Sequence, residues 1–222
     1  MSAFAPAFSA RVITFALSFS FLFSSTLAPS MAGDKDSKSA EKSGRAGSWR
    51  TGAQDAPSVE ACRKLVKAKP DDAIAHNDLG WALRLNGDPK AAEIELKAAI
   101  ALNDAMHQAH SNLSVTLLDL GKPQEAVMEA RKAVGLKQDQ PIYHVNLGNA
   151  LAASGDNKGA VEEYKLAIEQ KPDYENAYYN LGRVLDAMGE ANEAGKALSE
   201  ALRLDPEDER VLKILDRIVK AN

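Results

Sequence analysis

Residues 141–174, PIYHVNLGNALAASGDNKGAVEEYKLAIEQKPDY, are one period of a pattern that runs four times through this chain without a shift. Five columns keep one residue type at a spacing of 34 residues. The columns are Leu79, Leu113, Leu147 and Leu181; Leu83, Leu117, Leu151 and Leu185; Gly87, Gly121, Gly155 and Gly189; Ala92, Ala126, Ala160 and Ala194; and Ala99, Ala133, Ala167 and Ala201. A fixed period of this length indicates a repeat architecture, in which each unit packs on its neighbours.

Within this period the apolar spacing predicts two helices joined by a tight turn. Leu147, Ala150 and Leu151 fall at i, i+3 and i+4, which is the buried stripe of a first helix. Gly155 ends that helix, because glycine adopts a left-handed cap without steric cost. A second apolar stripe follows, formed by Ala160, Tyr164, Ala167 and Ile168. The alanine columns let the two antiparallel helices approach closely, so the unit is a helical hairpin.

These columns resemble the tetratricopeptide repeat. The resemblance rests on the Leu-Gly pair, as in Leu147-Gly148, and on the turn glycine and both alanines, which all sit in register; Ser114 replaces the paired glycine in one unit. It covers four full units, at residues 73–106, 107–140, 141–174 and 175–208. The expected fold is therefore all-α. The resemblance implies a right-handed α-solenoid of four helix-turn-helix repeats whose first helices line a concave groove for partner peptides.

The segments that flank the four units read as end caps. Residues 57–72 match only the second half of a unit and predict an N-terminal capping helix that includes Cys62. Residues 209–222 predict a C-terminal capping helix with one apolar and one charged face. Two alternatives stay open, since the apolar stripe could join a second copy of the chain and Cys62 could form an intermolecular disulfide instead of packing.

The chain before residue 57 predicts export. Residues 1–32 combine one arginine, a short apolar run and small residues before Gly33, which is the layout of a secretory signal peptide. An uncleaved anchor and an organellar transit peptide are the alternatives. Residues 33–56 are polar and predict a disordered linker, in which Trp49 is the one aromatic residue. We therefore expect a periplasmic or secreted protein, with no membrane association once the segment is cleaved.

Composition and motifs exclude several classes of function. The net charge of −4 and the absence of a basic face argue against a nucleic-acid partner. None of the familiar nucleophile, metal-protease or phosphate-loop motifs occurs, so we expect no enzyme activity and no cofactor. His76, His110 and His144 recur once per unit. Helices about 10 Å apart cannot bring such residues onto one zinc ion, whose bonds are about 2 Å long, so they predict packing positions and no metal site.

The candidate binding site is the first-helix face. The column before each paired leucine reads Asp78, Asn112, Asn146 and Asn180. A side-chain amide offers a donor and an acceptor together and so suits the backbone of an extended peptide. This column resembles the asparagine ladder of some tetratricopeptide proteins; the other interpretation is that it merely follows the repeat consensus. The remaining candidates, taken from neighbouring positions of the period, are Asn77, Trp81, Asn149, Tyr179 and Arg183.

The expected function is a non-catalytic scaffold that binds extended peptide segments of partner proteins in its groove. The resemblance, taken with the export pattern, implies an envelope assembly factor. A regulatory or adaptor subunit of an envelope enzyme and a structural homo-oligomer are the alternatives.

Overall fold

The computed structural model describes residues 58–221, so the predicted signal peptide and linker, with Trp49, lie outside the described residues. The described part folds into ten α-helices and contains no strand. The helices are α1 (Val59–Ala68), α2 (Ala73–Leu85), α3 (Pro89–Leu102), α4 (His107–Asp119), α5 (Pro123–Leu136), α6 (Pro141–Ser154), α7 (Asn157–Gln170), α8 (Glu175–Ala187), α9 (Ala191–Leu204) and α10 (Glu209–Ala221). The predicted all-α class is confirmed.

Helices α2 to α9 form four consecutive hairpins, and the way in which these stack defines an inner face. Each second helix packs on the first helix of its own hairpin and on the first helix of the next. The first helices α2, α4, α6 and α8 also contact one another in order, whereas the described second helices α3, α5, α7 and α9 do not. Because the first helices lie closer together, they form the inner face of the stack, as in a helical solenoid.

Local sequence sets the helix ends. The side chain of Asp156 accepts from the Gly159 amide at the start of α7, and Asp72 and Asp88 cap α2 and α3 in the same way. Every hairpin turn contains a glycine with positive φ, which is 95° at Gly155. A side chain is strained in that conformation, which explains the fixed glycine column.

The paired glycine of each repeat leaves room for one large side chain from the second helix. A Cβ atom added at Gly148 would lie 2.6 Å from Cε1 of Tyr164, which is fully buried. Gly80 and Gly182 have the same relation to Leu96 and Leu198. The second repeat carries Ser114 and Ala130 at these two positions, both buried. The larger residue on the first helix thus coincides with a smaller one on the second.

The two flanking helices cover the ends of the apolar core. Cys62 of α1 is buried and belongs to the main core, as do Val211 and Ile218 of α10. The outer side of α10 leaves Leu212 and Val219 exposed, with 44% and 74% of their surface accessible. Between residues 58 and 221, no helix is both long and apolar enough to cross a bilayer.

Candidate functional site

The amide column lies along the inner face, one residue on each of α4, α6 and α8. Asn112, Asn146 and Asn180 are all half-buried, so their side chains reach the surface without pointing into the core. Asp78 takes the equivalent place on α2 and is also half-buried. The structure therefore arranges the four residues of this column on successive first helices, as the period predicts.

Two of these amides also tie one repeat to the next. Nδ2 of Asn112 donates to Oδ1 of Asn77 at 2.9 Å, and Nδ2 of Asn146 donates to Oγ of Ser111 at 2.9 Å. Asn77 is buried, with 6% of its surface accessible, and so is Ser111. Among the candidate groove residues, Asn77 is therefore part of this link, because it is buried and its carbonyl oxygen accepts from Asn112 of the next first helix. Asn180 donates within its own helix, to the carbonyl of Asn176 at 2.8 Å.

Each amide keeps part of its hydrogen-bonding capacity. A side-chain amide has two N–H donors and one carbonyl oxygen. Within residues 58–221, Asn112, Asn146 and Asn180 each use one donor and leave Oδ1 without a protein partner. The bonds that are made fix the orientation of the amide planes. The column is thus a row of side-chain amides that are oriented by one hydrogen bond each and whose Oδ1 atoms have no described protein partner.

A further hydrogen bond lies within the third repeat, between α7 and the candidate residue Asn149 of α6. Oη of Tyr164 donates to Oδ1 of Asn149 at 2.8 Å. Burial raises the pKa of Tyr164, and the nearby Arg183 guanidinium opposes that shift. Arg183 itself is exposed on α8. The carbonyl of Asn149 is therefore occupied, and only its amide hydrogens are available to a ligand.

The aromatic candidates are each covered on one side by an arginine. Cζ of Arg84 lies 5.1 Å from the ring centroid of Trp81, and the same arginine approaches Asp119 of α4 at 2.7 Å. That Nε–H is not aligned with the carboxylate, so the contact is an ion pair without a hydrogen bond. Cζ of Arg210, from α10, lies 4.5 Å from the ring centroid of Tyr179. Both rings remain half-buried.

The carboxylate of Asp78, at the α2 end of the inner face, has no positively charged partner among the described residues. Its Oδ1 accepts from Nδ2 of Asn77 at 3.2 Å, and it forms no ion pair with a described residue. Burial raises the pKa of Asp78; the Asn77 amide opposes this shift, and the charge of Asp72 adds to it. Burial also raises the pKa of the Cys62 thiol, and the charge of Asp78 raises it further. A buried thiol with a raised pKa is a packing group and a poor nucleophile.

The histidine column forms a set of hydrogen-bonded histidine–glutamate pairs that the packing interpretation of these residues did not include. Nδ1 of His76, His110 and His144 lies 2.7, 2.6 and 2.7 Å from Oε2 of Glu95, Glu129 and Glu163. Nε2 of each ring faces a carbonyl at the preceding junction, on Pro70, Asp104 and Gln138. The signal was present, because a glutamate follows each of these histidines by 19 residues. In the fourth repeat Tyr178 replaces histidine, and Ala197 replaces glutamate.

Two acceptors on one imidazole favour its doubly protonated form, since both ring nitrogens must then donate. The Glu163 carboxylate raises the pKa of His144; burial opposes this, and the Gln138 carbonyl adds to it. Burial lowers the pKa of His76, but the Pro70 carbonyl and Glu95 outweigh it and leave that pKa raised. These pairs join the two helices of a repeat to the preceding junction. No group of side chains suited to a metal ion occurs in residues 58–221.

Several solved structures share this architecture. MamA aligns with 25% identity and a TM-score of 0.60 over 67% of this chain and 87% of that chain. TTC0263, a thermophilic tetratricopeptide protein of Thermus thermophilus, aligns with 18% identity and a TM-score of 0.64 over 73% and 89%. Pseudomonas aeruginosa pilF aligns with 19% identity and a TM-score of 0.64 over 73% and 76%. No curated protein matches the chain in sequence.

Family models for the tetratricopeptide repeat match most of the described helices. One matches residues 58–107, a second matches 107–140 and again 175–208, and a third matches 148–189. The two segments of the second model coincide with two units of the 34-residue period. Repeats of this family generally serve as protein-interaction scaffolds. The chain belongs to the tetratricopeptide repeat family.

Proposed function

We propose that this protein is a non-catalytic scaffold that binds extended segments of partner proteins along the inner face formed by α2, α4, α6 and α8. The observation that carries the proposal is the row of half-buried amides Asn112, Asn146 and Asn180, whose carbonyl oxygens have no partner in residues 58–221. An extended backbone presents N–H and C=O groups at regular intervals, and such amides bind both with little demand on sequence.

The inter-repeat bonds support this proposal by holding the amides in place. Asn112 and Asn146 are each held by a bond to a buried side chain of the preceding helix. A side chain that is already ordered loses less conformational entropy when it binds a ligand, so its hydrogen bonds contribute more to affinity. The structural role and the binding role of the column are therefore compatible.

The test compares a variant that removes two amides of the column with a variant that removes only a hydrogen-bond partner of one amide. Peptides selected from a random library of about 12 residues on phage, against the full chain, serve as the probe. Asn112→Ala with Asn146→Ala removes two ligand-binding amides, at about 0.5–1.5 kcal/mol each, so the dissociation constant should rise about 5- to 150-fold. Ser111→Ala is the matched control, because it removes the inter-repeat acceptor of Asn146 but keeps that amide.

Fluorescence anisotropy measures the affinity, and circular dichroism checks that both variants keep their helices. Ser111→Ala should bind within about threefold of the unmodified chain, which corresponds to about 0.7 kcal/mol, because it removes no group that binds the peptide. Equal peptide affinity of the double variant and the unmodified chain would contradict the proposal that the amide column binds the peptide.

We further propose that the chain is exported and acts as an assembly factor in a cell envelope, with protein or peptide partners and no nucleic-acid partner. Support comes from the sequence of residues 1–32 and from the net charge of −4. Amino-terminal sequencing of the protein from its native source tests export. A mature chain that begins at Gly33 is expected, whereas a chain that keeps residues 1–32 in the cytoplasm would contradict the proposal.

One observation favours a second candidate, a homo-oligomer joined through α10. Leu212 and Val219 are exposed on the outer side of this helix. Large exposed apolar side chains on one helix are a feature of interfaces. Sedimentation velocity of the mature chain distinguishes the two, because a monomer at micromolar concentration excludes this candidate.

A further inference from the structure

Two charged residues at opposite ends of the inner face have no counter-ion. Asp78 lies on α2 and forms no ion pair with a described residue. Arg183 lies on α8, exposed, and no described carboxylate pairs with it. The other carboxylates and guanidinium groups of these four helices have partners: Arg84 pairs with Asp119, and two arginines of α10, Arg210 and Arg217, pair with Glu175 and Asp186. The face therefore has a negative end and a positive end, with uncharged amides between them.

The negative end has the chemistry to bind a cationic side chain. Asp78 is half-buried, so its carboxylate is less well hydrated than a surface carboxylate. Trp81 follows one turn later on the same helix and presents an aromatic ring, of which Arg84 covers one side. A carboxylate beside an aromatic ring attracts a lysine or arginine by charge and by a cation–π interaction. Nearby Asp72 adds negative potential.

The positive end has the chemistry to bind an anion. The guanidinium of Arg183 is close enough to the hydroxyl of Tyr164 to affect its pKa, and that hydroxyl is itself bonded to Asn149. Tyr164 and Asn149 are both uncharged, so neither of them neutralises the guanidinium. A planar guanidinium with free N–H groups pairs well with a carboxylate.

We infer that the inner face binds extended peptides that carry a basic residue at the α2 end and an acidic residue at the α8 end. Asp78 and Arg183 are separated by three helix-to-helix steps of about 8–10 Å. An extended chain rises about 3.3 Å per residue, so the two charges of the peptide should lie about seven to nine residues apart. The complementary charges would fix the register of a segment that the amide column binds without regard to sequence.

This inference rests on the proposed peptide-binding function, and it names the class of segment that is bound. The experiment is selection of the same random phage peptides on the full chain, followed by anisotropy with the synthetic peptides. The variants are Asp78→Asn and Arg183→Gln. The matched controls are Glu162→Gln and Arg131→Gln, which remove the same charges from exposed positions on the second helices α7 and α5.

Selected peptides should carry a basic and an acidic residue about seven to nine positions apart. Asp78→Asn and Arg183→Gln should each weaken their binding about tenfold, which corresponds to one charge-assisted contact, while the two controls leave it unchanged. Selection repeated on Asp78→Asn should lose the preference for the basic residue only.

Two outcomes would overturn the inference, and they differ in what they mean for the proposed function. Peptides that lack the charge pair, or that bind both variants as tightly as the controls, contradict the inference; if they still depend on Asn112 and Asn146, the proposed function stands. No enrichment on the chain above an unrelated protein contradicts both.

Discussion

Single side chains in this protein connect one repeat to the next, and the histidine column does so through a ring nitrogen that faces a carbonyl of the preceding junction. Each histidine–glutamate pair joins a first helix to the second helix of the same repeat, and the other ring nitrogen reaches the junction before it, as in His144, Glu163 and Gln138. His110 and His144 are almost fully buried. Water screens a buried pair less than a surface pair, but burial also removes hydration from both groups, so the clearest cost arises when one partner is removed and the other is left buried and unpaired.

The pKa values of these histidines predict a pH dependence of stability. The folded-state pKa of His76 and of His144 is raised above the ordinary value of 6.5. The folded state therefore binds protons more tightly than the unfolded state, and the stabilisation is complete below about pH 6.5. It is lost as the pH rises through the raised values. The urea concentration at the unfolding midpoint should fall as the pH increases above about 6.5.

His144→Gln supplies the control, because it removes one titrating ring. In this variant the urea midpoint should fall less with increasing pH than in the unmodified chain. Burial lowers the pKa of His107, and Lys137 lowers it further. His107 therefore affects the pH dependence of stability below about pH 6.5, outside the range in which the contribution of His76 and His144 is lost. A midpoint in the unmodified chain that stays constant or rises between about pH 6.5 and pH 8.5 would contradict this account of the pairs.

At the scale of the element, a helical hairpin depends on matched sizes at the point where its two helices cross. Gly148 leaves the space that the Tyr164 ring fills, whereas the second repeat has Ser114 and Ala130 at the same positions. The two combinations trade size in the same direction, because the Cβ and hydroxyl on the first helix occupy part of the space that the smaller residue on the second helix leaves.

Gly148→Ser and Tyr164→Ala test this exchange as a double-mutant cycle. The first change should cost about 1–3 kcal/mol by overpacking. The second should cost about 3–5 kcal/mol through the cavity that it leaves. Together they copy the second repeat, so the loss in the double variant should be smaller than the sum by about 0.5–3 kcal/mol. Urea unfolding measures all four proteins, and strictly additive losses would show that the sizes are not coupled.

For the whole molecule, the 34-residue period was enough to predict the all-α solenoid, because the same packing positions recur in every unit. The sequence did not predict that Asn77 is buried or that Asn112 bonds to it. That contact joins residues 35 positions apart, and its existence depends on how far one repeat is rotated against the next. The lone charges Asp78 and Arg183 were visible as residues, but only the structure shows which other charges on this face are neutralised.

The proposed binding mode depends on which face of the helix stack a partner occupies. This face can be located by titrating the isotope-labelled chain with a selected phage peptide and following the amide NMR shifts. We expect the side-chain amides of Asn112 and Asn146 to shift, together with backbone amides of α2, α4, α6 and α8. Shifts confined to the second helices α3, α5, α7 and α9, or to α10, would contradict this binding mode.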